Sequence, residues 1–128
     1  MKKKIAFITG ITGQDGSLLA EFLLKKNYIV HGLKRRTSLF NTQRIDHIYN
    51  SKKYKNKFYP YYADLSDSSS LLRVIQSTKP DEIYNLGAMS HVRISFDMPS
   101  FTIQTNAMGV LNMLEVYRTL CPEAKFYQ

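Results

Sequence analysis

Apolar positions along the chain switch repeatedly between two periods. A short unbroken run, Ile5-Ala6-Phe7-Ile8, stops at Gly10, and from about Gln14 to Lys26 apolar residues recur at three- and four-residue spacing. The first predicts a buried strand from about Lys4 to Thr9. The second predicts a helix whose face of Leu18, Leu19, Phe22 and Leu23 covers a sheet. Asn27 is expected to end that helix, and Tyr28 to Leu33 reads as a second apolar strand. Strand, helix and strand within about thirty residues form a right-handed crossover, which sets the two strands parallel.

The alternation continues. Phe40 to Asn50 predicts a short helix carrying Arg44, Ile45 and Ile48, and Phe58 to Tyr62 predicts a third strand, which Pro60 confines to an edge or a bulge. Asp67 and Ser68 are expected at the cap of a helix through Leu71, Leu72, Val74 and Ile75 that stops before Pro80. Asp81 to Leu86 reads as a fourth strand. Pro99 then opens the longest helix, through Ile103, Ala107, Val110, Leu111, Leu114 and Tyr117 to Leu120, with Phe101, Met108 and Met113 on its apolar surface. Lys125 to Gln128 resembles the start of a fifth strand. Strands alternating with helices throughout predict an α/β fold, a doubly wound parallel sheet of Rossmann type, with a ligand at the carboxyl ends of the strands.

Three glycines mark where that ligand would sit. Gly10, Gly13 and Gly16 fall between the first strand and its helix, where free N–H groups and the positive end of the helix dipole favour an anion. Gly10 suits the tight turn, Gly13 a close approach of a diphosphate, and Gly16 the packing of helix on strand. After the second strand, an acidic residue would bind ribose hydroxyls and repel a 2′-phosphate. Lys34-Arg35-Arg36-Thr37-Ser38 stands there instead, with guanidinium forks that match phosphate and hydroxyls that can donate. The chemistry predicted is NADP rather than NAD. Asp64, at the end of the third strand, has two readings: it accepts from an adenine amino group, or it caps the following helix. Gly87 and Ala88 end the fourth strand with little side chain, so a dinucleotide can pass over the backbone. His91 reads as a packing or hydrogen-bonding residue, because neither His31 nor His47 stands at metal-ligand spacing from it.

Composition narrows the picture further. The 128 residues suit one domain, 1–128, and 44% apolar content with no long uncharged stretch excludes disordered and membrane classes. Net charge is +8, so an anionic partner is favoured, but no nucleic-acid-binding signature accompanies the basic clusters at 34–36 and 52–57, and nucleic acid is not expected as a partner. Lys2 to Lys4 precede an apolar run that ends at Gly10 without a signal-cleavage pattern; a cytoplasmic protein is expected. The lone Cys121 forms no internal disulfide and is expected to be buried or incidental.

With these residues in view, the chain resembles the amino-terminal portion of the GDP-mannose 4,6-dehydratase family, within the extended short-chain dehydrogenases/reductases. The resemblance rests on Thr9-Gly-Ile-Thr-Gly-Gln-Asp-Gly-Ser17, His31-Gly32 with Arg35-Arg36, Phe40-Asn41-Thr42, Ile83 to Ala88 with Ser90-His91-Val92, Ile94 to Asp97, and Lys125 to Gln128. It implies that Gly10, Ile11, Thr12, Gly13, Gln14, Asp15 and Gly16 cradle the NADP diphosphate. It places Arg35, Arg36, Thr37 and Ser38 at the 2′-phosphate and Asp64 and Leu65 at the adenine. Leu86, Gly87, Ala88, Met89 and Ser90 would line the path to the nicotinamide, with Phe101 nearby. Met89 stands where the family usually has Gln and Phe101 where a Tyr is common. The resemblance further implies conversion of GDP-mannose to GDP-4-keto-6-deoxymannose by the complete protein, and a homo-oligomer, tetrameric in this family. A related GDP-heptose dehydratase and a non-catalytic NADP-binding module remain the alternatives. The family's catalytic Tyr-x-x-x-Lys pair and its Thr and Glu acid–base groups are not expected among these residues, so the chain alone is expected to be inactive.

Overall fold

In the computed structural model, which describes residues 2–128 and leaves Met1 outside them, the five predicted strands form one sheet. They are β1 (Ile5–Thr9), β2 (Ile29–Lys34), β3 (Phe58–Tyr62), β4 (Glu82–Asn85) and β5 (Lys125–Tyr127), in the order β3-β2-β1-β4-β5. Every pairing is parallel, with Phe7 of central β1 opposite His31 on one side and Ile83 on the other. Pro60 lies on β3, an edge strand, where its missing N–H interrupts no ladder.

Successive β1 side chains point to opposite faces, and each face has its own core. Ala6 and Ile8 pack with residues of α1 (Gln14–Lys25) and α2 (Gln43–Tyr49), including Ala20, Leu23, Leu24, Ile45 and Ile48. Phe7 packs on the other face with Leu71, Val74 and Ile75 of α3 (Ser68–Thr78) and Met113 and Val116 of α6 (Gly109–Leu120). The doubly wound arrangement follows from this two-sided burial.

Helix ends follow the predicted chemistry. Asn27 turns the chain out of α1 in the left-handed region (φ 67°), and its N–H donates to Leu24 O at 3.0 Å. Asp67 caps α3, accepting from the Ser69 and Ser70 N–H groups. Half-buried Cys121 has its thiol pKa pushed up by burial, which suppresses the thiolate.

Two expectations need correction. The buried face of α1 is Gly16, Ser17, Ala20, Leu23 and Leu24, whereas Leu18 and Phe22 are 59% and 53% exposed. Small residues are selected there because the start of α1 lies against the β1 turn. The expected helix from Pro99 to Leu120 is helical throughout but is not uniformly α. It comprises α5 (Pro99–Ile103), a π turn (Gln104–Met108) and α6, preceded by a short α4 (Val92–Asp97) that the sequence pattern did not predict. The lysine-rich loop likewise contains one 3-10 turn, Lys52–Tyr54.

His31 is the unusual buried group. It lies between Tyr59 and Tyr61, with ring centroids at 5.1 and 5.6 Å, and its Nδ1 is 3.0 Å from the Tyr61 hydroxyl. Burial pushes its pKa down to about 4.

Candidate cofactor-binding site

β1 to β4 end on the same side of the sheet, and a cavity of about 490 Å³ opens there. Its floor is the β1–α1 turn. Gly10 sits in the left-handed region (φ 70°), and a Cβ on it would lie 2.9 Å from Gly87 N. A Cβ on Gly16 would run into the Gly10 carbonyl oxygen and lie 2.9 Å from its carbon. Gly13 caps α1 without a side-chain acceptor, so the first-turn N–H groups are open to an anion where Gln14, Asp15 and Gly16 line the cavity.

Buried Thr9 joins this floor to the next wall. Its hydroxyl donates to Asn85 Oδ1 at 2.6 Å and accepts from Gly87 N–H at 2.8 Å. Asn85 in turn donates from Nδ2 to Gln128 Oε1 at 2.9 Å. Three strand ends are thereby held in fixed relation.

Gly10, Thr12, Gly13, Gln14, Asp15, Gly16, Arg35, Asp64, Leu65, Leu86, Gly87, Ala88 and Ser90 are brought together around the cavity. Six other expected residues are placed differently. The Ile11 side chain is buried in the core against Gly32, so it offers the site backbone alone. Arg36 is exposed and lines no part of this cavity. Thr37 and Ser38 line an adjoining cavity of about 440 Å³, which shares Arg35 and Asn41 with the first. The Thr37 hydroxyl is already engaged, donating to Leu39 O at 2.8 Å and accepting from Leu39 N–H at 2.9 Å. Met89 is held by its backbone, and Phe101 lies beside Arg35 rather than in the cavity wall, its ring centroid 5.8 Å from the guanidinium carbon.

Local geometry rules out the cap reading of Asp64. Its Oδ1 accepts from Ser66 N–H and Ser66 Oγ at 2.8 and 2.7 Å, and the α3 cap is Asp67 instead. Asp64 lines the cavity, and its Oδ2 has no partner among the described residues. His91 is exposed and accepts at Nδ1 from Ile94 N–H at the start of α4, a hydrogen-bonding role as expected.

Sequence reasoning missed Leu33, Asn41, Ala63 and Thr105 in the wall. It also missed Asn106, whose side-chain amide clasps Met89 by accepting from its N–H at 2.8 Å and donating to its carbonyl at 2.9 Å. A π turn carries one more residue per turn than an α-helix, and α-helical spacing gives no sign of it. One Tyr-x-x-x-Lys spacing does occur, Tyr49 to Lys53, contrary to expectation. It does not form a pair on one helix: α2 ends at Tyr49, Lys53 lies in the following 3-10 turn, and Tyr49 lines the adjoining cavity.

The residue pattern that describes GDP-mannose 4,6 dehydratases matches residues 7–128. The chain belongs to the GDP-mannose 4,6-dehydratase family. It is 60% identical to the GDP-mannose 4,6-dehydratase of Vibrio cholerae over its whole length, and 50% identical to that of Homo sapiens over 98% of it. In each case it spans 35% of the relative, about a third of a GDP-mannose 4,6-dehydratase. Among solved structures, an epimerase from Methanothermobacter thermautotrophicus superposes on 94% of the chain and 33% of its own length, with a TM-score of 0.77 and 26% identity. The Thermus thermophilus UDP-glucose 4-epimerase complex with NAD covers 91% of the chain and 34% of its own length, at a TM-score of 0.74 and 22% identity, which establishes the shared fold. No helix among the described residues is long and apolar enough to cross a membrane.

Proposed function

We propose that this chain is the NADP-binding portion of a GDP-mannose 4,6-dehydratase whose complete form converts GDP-mannose to GDP-4-keto-6-deoxymannose. The observation that carries the cofactor assignment is Arg35 in the cavity wall directly after β2, where an NAD site would place an acidic residue. The rest of the cavity suits a dinucleotide. Its glycines leave room at the turn, the α1 terminus faces the position of a diphosphate, and Asp64 Oδ2 is available to an adenine amino group.

In that arrangement the backbone of residues 10–16 orients the diphosphate. Arg35 neutralises and orients the 2′-phosphate with in-plane N–H donors, and Gly87 and Ala88 keep the path beyond β4 clear. The bound nicotinamide would supply reversible hydride chemistry at the sugar. The chain's own residues bind and position; turnover of GDP-mannose belongs to the complete protein, and the chain alone is expected to show none. Exposed Arg36, Leu39 and Phe40 beside the site favour assembly as a homo-oligomer.

Two measurements test this reading. The protein is titrated with NADPH and with NADH by ligand fluorescence, and tighter binding of NADPH is expected. The complete protein is then incubated with GDP-mannose and NADP, with the product followed by mass spectrometry as loss of one water. Equal affinity for the two dinucleotides rejects the cofactor assignment, and unchanged GDP-mannose rejects the substrate assignment.

A further inference from the structure

The Arg35 side chain has no carboxylate partner among the described residues, yet it is not free in space. It leaves the end of β2 and meets Phe101 of α5, with the ring centroid 5.8 Å from its guanidinium carbon. Thr105, one helical turn beyond Phe101, lines the cavity that Arg35 also lines. The aromatic ring therefore holds the cation beside the opening, while the same stretch of helix supplies part of the wall.

We infer that Phe101 sets the cofactor preference of this site by positioning Arg35, without being a catalytic residue or a cavity-lining one. The inference rests on the NADP reading above. Its physical basis is the division of labour within a guanidinium. A carboxylate partner would occupy the in-plane N–H donors that a phosphate needs, whereas an aromatic ring engages the flat face. Contact with the Phe101 ring restrains the long side chain before the ligand arrives, and the guanidinium N–H groups donate to no protein acceptor among the described residues. Part of the ordering cost is then met in the free protein, and only a ligand carrying a 2′-phosphate gains from it. A hydroxyl on the ring is not required, which fits a Phe at this position.

The test is a double-mutant cycle read as dissociation constants for NADPH and for NADH, with melting temperatures recorded for every variant. Phe101→Leu removes the π face and keeps an apolar side chain; Phe101→Tyr keeps the face. The expected result is a loss of NADPH affinity of about two- to five-fold in Phe101→Leu, the scale of an exposed cation–π contact, with NADH affinity unchanged. Phe101→Tyr is expected to behave as wild type, and Phe101→Leu to have no further effect in an Arg35→Ala background. Equal losses for both dinucleotides, an undiminished NADPH affinity, or additive effects of the two substitutions would each overturn the inference while leaving the NADP assignment standing. A wild-type protein that prefers NADH, or binds neither, overturns the assignment and this inference with it.

Discussion

Replacing Gly16 by Ala adds one carbon at the tightest point of the β1–α1 turn. The new Cβ would run into the Gly10 carbonyl oxygen, 2.9 Å from the Gly10 carbon and 3.1 Å from Ile11 Cα. All three atoms belong to the backbone, so no side-chain rotation relieves the contact. Overpacking of this kind costs about 1–3 kcal/mol, and an unyielding backbone neighbour puts Gly16→Ala toward the upper end. Ala gains up to ~1 kcal/mol over Gly in a helix, which offsets part of that cost but not most of it. A net loss of about 1–2 kcal/mol corresponds to a fall in melting temperature of roughly 3–12 °C for a domain of this size. The shift also moves the α1 terminus off the diphosphate position, so NADPH and NADH are expected to weaken together. Gly13→Ala, whose Cβ would lie 3.2 Å from Gly10 O, is the milder comparison and is expected to melt between Gly16→Ala and wild type. The assays are thermal melting and a fluorescence titration with both dinucleotides. A Gly16→Ala protein that melts at or above wild type and binds both normally would refute the packing argument.

Other perturbations act on the frame. His31, with its folded pKa near 4 against about 6.5 when unfolded, takes up a proton in the unfolded chain first as pH falls. Its contribution is therefore present above pH ~6.5 and is lost progressively down to pH ~4, by at most ~3 kcal/mol. Denaturant melts across that window should show this decline, and His31→Phe, which keeps the aromatic stack, should flatten it; an unchanged pH slope in the variant would count against buried neutral His31. Asp67→Ala removes the acceptor for two N–H groups of α3 and should lower the melting temperature, whereas Asp67→Asn, which retains an oxygen, should restore most of it. Equal melting of the two variants would show that this cap is not formed.

The five strands, their parallel pairing and the glycine turn after β1 were legible because period and punctuation agreed. Ile5 to Ile8 form a continuous apolar run, as a strand covered on both faces must, and Gly10 and Asn27 mark the turn and the helix end by their left-handed φ. The buried side of α1 was misread because hydrophobicity marked Leu18 and Phe22, whereas the close approach at Gly16 selects small residues. The π turn and α4 were missed for a different reason. Asn106 reaches Met89 through tertiary hydrogen bonds, and α4 has no buried residue, so neither leaves a periodic trace. Thr37 and Ser38 carry the expected donor groups, but side-chain chemistry does not reveal that Thr37 spends its hydroxyl on Leu39.

Arg35, directly after β2, is proposed to select a 2′-phosphorylated dinucleotide. The most direct measurement of that selection is the ratio of NADH to NADPH dissociation constants in wild type and in Arg35→Ala, at fixed ionic strength. A charged hydrogen bond contributes about 1.5–3 kcal/mol, less where solvent screens it, so removing the guanidinium should cut the NADPH preference by about ten-fold or more. NADPH affinity is expected to fall by that factor while NADH affinity is unchanged. Equal loss of both, or an unchanged ratio, would contradict that selection.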